Sequence, residues 1–175
     1  LVCFPSDHLV LEEAAFMEHV EEVASFVGRG PSRIVLLGAP PSQPETEYGW
    51  IEPGEPVGWT AQGPIQAIQG FREKPSKEAA EALLRRGSLW NTFVFTAPAA
   101  VLLSAGRDCT PALYDRLASL RAFAGGEDER WAVRQAYALA PTVDFARSIL
   151  EACPQMLAVS KLPELTWCDL GTPER

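Results

Sequence analysis

The sequence predicts an α/β fold, because strand-like and helix-like patterns alternate from its first residues. Residues 1–4 form a short apolar run, residues 12–27 have the period of an amphipathic helix, and residues 34–37 form a second apolar run. Short runs that are apolar on both faces are typical of buried strands in parallel sheets. The order predicts a β-α-β unit whose two strands run parallel.

The remaining elements follow in order along the chain. Phe16, Val20 and Val23 lie on one face of the first helix, which is expected to end at Gly28. Further strands are expected at 48–52, closed by a Pro-Gly turn, and at 63–73, 89–96 and 156–159. Further helices are expected at 76–86, 98–105, 111–122, 128–138 and 143–152. No repeat or long linker divides the chain, so residues 1–175 are predicted to form a single domain.

The composition argues against several classes of function. The net charge of −8 and the pI of about 4.8 argue against a nucleic-acid or anionic-membrane surface. No run of 18 or more uncharged apolar residues occurs, and the first residues lack the pattern of a signal peptide, so a cytoplasmic protein is expected. The four cysteines have no metal-binding spacing and are expected to be reduced thiols.

Candidate site residues follow the predicted strands, where ligands bind in open α/β sheets. Asp7 comes directly after the first strand, so it either binds Mg²⁺ or only shapes the turn into the helix. Glu73 and Lys74 end another strand in a chain with few lysines. Lys74 could contact a phosphate while Glu73 accepts a hydroxyl, or the two could form a solvated charge pair before a helix cap.

Three further segments mix polar and aromatic residues. Glu45, Tyr48 and Gly49 lie in a stretch typical of sugar pockets, although a hairpin edge with core aromatics explains the same pattern. Asn91 could hydrogen-bond a ligand, and Asp169 could be a turn cap or a second metal ligand. No hydrolase elbow, phosphate-binding P-loop or dinucleotide-binding motif is present in the sequence.

Taken in order, five motifs resemble the sugar-nucleotidyltransferase family, most closely the mannose-1-phosphate guanylyltransferases. The motifs span essentially the whole chain, and they are Pro5-Ser6-Asp7-His8, Pro44–Ile51, Gly70–Pro75, Leu89–Thr92 and Trp167–Gly171.

The resemblance implies a three-layer, Rossmann-like nucleotide-diphospho-sugar transferase fold with a mostly parallel, mixed sheet. It implies transfer of a nucleotidyl group from a nucleoside triphosphate to a sugar 1-phosphate with release of pyrophosphate, here GTP and mannose 1-phosphate giving GDP-mannose. It also implies a set of roles. Asp7 and Asp169 would hold Mg²⁺, Lys74 would bind the sugar phosphate, and the sugar-binding residues would be Glu45, Tyr48, Gly49, Glu73 and Asn91.

The sequence departs from the family pattern in two places. The family carries Trp-Asn-Ser-Gly where this chain has Thr92 and Phe93 after Asn91, so Phe93 is expected to alter the pocket. Residues 1–175 do not contain the family's Gly-rich triphosphate loop, so the resemblance implies that the chain is the later, partial stretch of a catalytic domain, with little activity expected alone. Its exposed sheet edge is expected to favour self-association. The alternative is a non-catalytic homologue that binds a sugar phosphate or regulates a partner.

Overall fold

The computed structural model describes residues 1–30 and 32–171, which form a layered α/β structure. Its strands are β1 (Val2–Cys3), β2 (His8–Val10), β3 (Ile34–Ala39), β4 (Gly49–Thr60), β5 (Gly63–Glu73), β6 (Leu89–Thr96), β7 (Leu157–Lys161) and β8 (Trp167–Asp169). Its helices are α1 (Glu13–Arg29), α2 (Lys77–Arg85), α3 (Ala99–Cys109), α4 (Pro111–Ala118), α5 (Glu129–Ala138), the 3₁₀ turns Ser119–Phe123 and Pro154–Met156, and the π-helix Ala146–Glu151.

The main sheet has the strand order β1-β6-β3-β7-β5-β4, and β4 also pairs with β6. Among the strands of the described residues, β3 and β7 form the one parallel pair. The prediction of a mostly parallel sheet is therefore wrong, although the α/β class is confirmed.

The first and second predicted strands, β1 and β3, are not neighbours in the sheet. β1 and β3 do run in the same direction, but β6 lies between them and pairs antiparallel with both. Thr96 of β6 faces Val2 on one side and Val35 on the other. β6, which comes later in the chain, thus lies between the two strands that α1 connects. The local sequence pattern around α1 does not reveal this insertion.

The predicted turn after residue 52 is also wrong. β4 continues through Pro53, Gly54 and Pro56 to Thr60, where a tight turn leads into β5. The pairing of β4 with β5 shifts register at these prolines. Because proline cannot donate to a strand ladder, it is tolerated at such irregularities rather than ending the strand.

Helices cover both faces of the sheet, which confirms the three-layer arrangement. On one face, α1 packs Phe16, Val20 and Val23 onto the sheet, beside Ala80 and Leu83 of α2. The other face is covered by α3 and the π-helix, through Val101, Ala105, Ala146, Ile149 and Leu150. The predicted N-cap of α2 is confirmed as well, since the Ser76 hydroxyl accepts a hydrogen bond from the Ala79 N–H at 3.3 Å.

The later half of the chain differs from expectation in two details. The short helix predicted at 143–152 is largely the π-helix Ala146–Glu151. Cys109 and Cys153 form a disulfide that joins the end of α3 to the segment after the π-helix, while Cys3 and Cys168 are free. The expectation of reduced thiols is therefore wrong for that pair. The two cysteines are 44 residues apart in the sequence, and only the fold brings them together.

None of the helices formed by the described residues combines the length and the apolar composition that crossing a bilayer requires.

Candidate functional site

A cleft of about 560 Å³ opens where several strands end. Seven of the eight sequence-predicted site residues line this cleft, and they are Asp7, Tyr48, Gly49, Glu73, Lys74, Asn91 and Asp169. Glu45 is not among the lining residues. Its Oε1 accepts the backbone N–H groups of Thr46 and Glu47 at 2.8 and 3.0 Å, which shapes the loop before β4.

The two predicted metal ligands come together although they lie near opposite ends of the chain. β2 and β8 pair antiparallel, with His8 opposite Asp169, and the Leu170 N–H donates to the Asp7 carbonyl at 2.8 Å. A Cβ placed on Gly171 would lie 2.8 Å from Asp169 Oδ1 and 3.7 Å from Asp7 Oδ2. Both carboxylates therefore border the same small space, which the glycine leaves open.

The donor set at this end of the cleft fits Mg²⁺. That ion is usually held by one or two carboxylates together with substrate phosphates and water. The side chain of Asp7 is 59% exposed and so is accessible to an ion. Within residues 1–30 and 32–171 no cluster of three or more His, Cys, Asp or Glu side chains is arranged to hold a metal by itself. Phosphate oxygens or water would have to complete the coordination.

His8 is a site residue that sequence reasoning did not select. The Trp167 indole N–H donates to His8 Nδ1 at 3.3 Å, which places the proton of a neutral imidazole on Nε2. Burial lowers the pKa of His8, and the nearby Asp169 and Asp7 carboxylates oppose this only in part. His8 Nε2 lies 3.9 Å from Asp7 Oδ1. Its position next to Asp7 in the first motif was the available signal.

Lys74 stands at the end of β5 in an unusual backbone conformation, with φ of +45°. Its N–H donates to the Tyr48 carbonyl at 3.3 Å, which fixes the turn against the start of β4. The ammonium is half-exposed and lies 3.4 Å from Glu47 Oε2. Because a surface ion pair of this kind is weak, an anion entering the cleft can compete for the ammonium.

Glu73 of β5 pairs with Gly49 of β4, and its carboxylate lies over that glycine. A Cβ on Gly49 would lie 2.8 Å from Glu73 Oε2 and 2.8 Å from the Phe71 ring, so only glycine leaves room here. Burial raises the pKa of Glu73 and the Asp144 carboxylate adds to this effect, whereas Lys74 opposes it. The cleft thus contains a partly desolvated carboxyl suited to accept or share a hydroxyl proton.

Tyr48 supports the wall behind these groups. Its ring packs edge-on against Trp90 and Trp167, with centroid distances of 5.2 and 5.4 Å, and its side chain is buried. Tyr48 is therefore a core aromatic that also lines the cleft, and its role in a sugar pocket stays a prediction.

Phe93 lies in a bulge of β6 that begins directly after Asn91. Between the pairs Leu36–Phe95 and Gly38–Asn91, β6 is longer than β3, so the regular register is interrupted. The Phe93 N–H donates to Asn91 Oδ1 at 3.1 Å. This bond uses one of the two lone pairs of the Asn91 oxygen, so the side-chain amide keeps the capacity both to accept and to donate.

The sequence is similar to those of known proteins. A family model described as nucleotidyl transferase matches residues 1–175. The xanthan biosynthesis protein XanB of Xanthomonas campestris pv. campestris (strain B100) is 31% identical over 176 residues, covering 98% of this chain. A mannose-1-phosphate guanylyltransferase of Sinorhizobium fredii (strain NBRC 101917 / NGR234) is 28% identical over 174 residues, covering 98% of this chain. The chain spans only about a third of each relative, 35% and 32% respectively.

Solved structures share the fold. The crystal structure of a mannose-1-phosphate geranyltransferase from Thermus thermophilus superposes with a TM-score of 0.80 and 29% identity, covering 98% of this chain and 46% of the other. A mannose-6-phosphate isomerase from Helicobacter pylori superposes with a TM-score of 0.75, covering 97% of this chain and 63% of the other. At 18% identity, the second match bears on the fold alone.

Proposed function

Because the chain belongs to the nucleotidyl transferase family, we propose that its cleft binds a sugar 1-phosphate and presents it to a nucleoside triphosphate. In the proposed reaction a phosphate oxygen of the sugar 1-phosphate bonds to the α-phosphorus, the α–β anhydride bond breaks, and pyrophosphate leaves. The observation that carries the proposal is the convergence of Asp7, Lys74 and Asp169 on one cleft beside Glu73 and Asn91.

We further propose mannose 1-phosphate and GTP as the substrates and GDP-mannose as the product. Support comes from the relatives named mannose-1-phosphate guanylyltransferase, including the Sinorhizobium fredii protein. The chain covers about a third of that relative, so the activity of the whole protein is proposed here and does not follow from the similarity.

Asp7 and Asp169 are proposed to hold Mg²⁺, which when bound would neutralise phosphate oxygens of both substrates. The neighbouring His8 is proposed to offer its Nε2–H as a neutral hydrogen-bond donor, because Trp167 occupies the other ring nitrogen. A neutral imidazole can remain beside two carboxylates and a bound cation without adding charge repulsion.

The other residues are proposed to position the nucleophile. Lys74 would bind the phosphate of the sugar 1-phosphate. Glu73 would accept a hydrogen bond from a sugar hydroxyl, and Asn91 would donate one to another hydroxyl. Phosphoryl-type transfer asks for little covalent chemistry from the protein, so restraining the attacking oxygen and balancing charge supply most of the catalysis.

Calorimetric titration of this chain with mannose 1-phosphate tests the binding half of the proposal. Lys74→Ala should weaken binding about 10- to 100-fold, since a charge-assisted hydrogen bond contributes about 1.5–3 kcal/mol. Lys77→Ala is the matched control, because Lys77 is an exposed lysine outside the cleft lining. Failure of the unaltered chain to bind mannose 1-phosphate, with or without Mg²⁺, would contradict the proposal.

The metal ligands are tested by repeating the titration with and without Mg²⁺. Asp169→Asn should abolish any gain in affinity that Mg²⁺ produces while leaving the metal-free affinity nearly unchanged. A pyrophosphate-release assay with GTP then tests the prediction that the 175-residue chain alone turns over poorly. Binding without turnover, even in the full-length protein, would favour the non-catalytic alternative.

A further inference from the structure

An aromatic surface forms part of the cleft lining, beside the polar groups described above. Phe93, Phe95 and Phe145 form it together. Phe145 stacks on Phe95 with ring centroids 5.6 Å apart and planes within 12° of parallel. Phe93 packs at a tilt against the same Phe145 ring, at 6.0 Å. The three rings therefore form one continuous apolar surface, which Phe93 extends into the cleft.

Phe93 reaches this position at the cost of backbone strain. Its φ is +59° in the middle of β6, a conformation that glycine adopts readily and a bulky residue rarely does. Its neighbours Thr92 and Val94 are buried, whereas Phe93 itself is 36% exposed. A ring held in a strained conformation and left partly exposed contributes little to the core. Strain of this kind occurs where the local arrangement serves a site.

The polar and the aromatic parts of the cleft lining differ in what they can bind. Glu73, Lys74 and Asn91 offer hydrogen bonds and charge, whereas the phenylalanine rings offer only an apolar face. A pyranose ring matches both parts of the lining, because its hydroxyls project from its edge while C–H groups cover its faces. Contact between those C–H groups and an aromatic ring removes apolar surface from water.

We propose that Phe93, supported by Phe145, determines specificity by stacking on the C–H face of the hexopyranose ring of the sugar 1-phosphate. This inference rests on the proposed function, since it assigns the ring subsite of the same cleft. It makes the site selective for a phosphate ester that carries a pyranose ring over a phosphate ester without one.

The test compares two ligands, mannose 1-phosphate and glycerol 3-phosphate, by calorimetric titration. Phe93→Gly should weaken mannose 1-phosphate binding about 10-fold, the effect of losing one aromatic contact, and should change glycerol 3-phosphate binding by less than about 2-fold. Phe93→Tyr should retain the affinity for mannose 1-phosphate, and Phe93→Leu should not. Phe123→Gly is the matched control, because Phe123 is 37% exposed and lies outside the cleft lining.

Each outcome decides the proposal. If Phe93→Gly binds mannose 1-phosphate as tightly as the unaltered chain, the stacking role is wrong while the proposed function stands. If both ligands weaken equally, Phe93 acts by supporting the cleft and not by contacting the sugar, which also overturns the proposal. If Phe93→Gly fails to fold, the comparison of the tyrosine and leucine variants decides, and equal affinities would overturn it. Absence of mannose 1-phosphate binding in the unaltered chain would overturn both proposals.

Discussion

Lys74 and Phe93 share a backbone feature but are held in different ways. Within the described part of the chain they are the non-glycine residues with positive φ, and both line the cleft. Lys74 follows the end of a strand, where its N–H bonds to the Tyr48 carbonyl. Phe93 lies inside a central strand, where a left-handed residue interrupts the pairing with β3.

The interruption at Phe93 is compensated by two side chains. The Thr92 hydroxyl donates to the Leu37 carbonyl at 2.7 Å and accepts from the Val94 N–H at 3.2 Å, and Asn91 Oδ1 accepts the Phe93 N–H. A left-handed conformation costs about 1–2 kcal/mol for a residue with a Cβ. The comparison indicates that such a residue needs no side-chain support at a strand end, but needs substitute hydrogen bonds in mid-strand.

Removing the Thr92 hydroxyl should therefore have the largest effect on stability. Thr92→Val keeps the side-chain shape but leaves the buried Leu37 carbonyl without this donor, which should lower the free energy of unfolding by about 1–3 kcal/mol. Urea denaturation measures the change.

Thr96→Val is the matched control for that experiment. Thr96 is also buried in β6, but the structure shows no side-chain hydrogen bond for it among the described residues. It should lose well under half as much stability as Thr92→Val. Equal losses at the two positions would mean that the bulge does not depend on the Thr92 hydroxyl.

The strain itself can be compared through glycine and alanine variants of the same position. At Lys74 and at Phe93 the glycine variant should be more stable than the alanine variant by about 1 kcal/mol, since only glycine avoids the left-handed penalty. At Arg72, an exposed β5 residue outside the left-handed region, alanine should be more stable than glycine by about 0.4–1 kcal/mol. Thermal and urea unfolding give the three differences, and the same sign at all three positions would contradict the assignment of strain.

Much of the fold was predictable because its signals are local. The period of α1 and the Ser76 cap of α2 followed from short stretches of sequence. The helices on both sheet faces were implied by the family resemblance. The insertion of β6 between β1 and β3 did not, and neither did the disulfide between Cys109 and Cys153. Both depend on which distant segments meet, and residue pattern alone does not specify that.

The candidate site was predictable to a similar degree. The motifs selected Asp7, Lys74 and Asp169, which the structure places on one cleft, but their spacing could not show that β2 and β8 bring the acids together. An influence of Phe93 on the pocket was expected from its departure from the family pattern, and the structure places Phe93 in the cleft lining. Its positive φ was not, because phenylalanine rarely adopts that conformation.

The smallest expected effect is a pH-dependent change in stability at Glu73, the residue that immediately precedes Lys74. Burial raises the pKa of Glu73 above its usual value of 4.5, so folding favours the protonated carboxyl. That stabilising contribution is fully present below the usual pKa and is lost as the pH rises through the raised one. Glu73→Gln removes this loss, so its stability relative to the unaltered chain should be greater at about pH 7 than at about pH 4. Urea denaturation at both pH values measures the difference, with Glu55→Gln, at an exposed position, as the control for removing one carboxylate. If the relative stability of Glu73→Gln instead falls from about pH 4 to about pH 7, the Lys74 and Arg147 cations outweigh burial at this carboxyl. Charge would then stabilise the strand-end region, whereas side-chain hydrogen bonds support the mid-strand bulge.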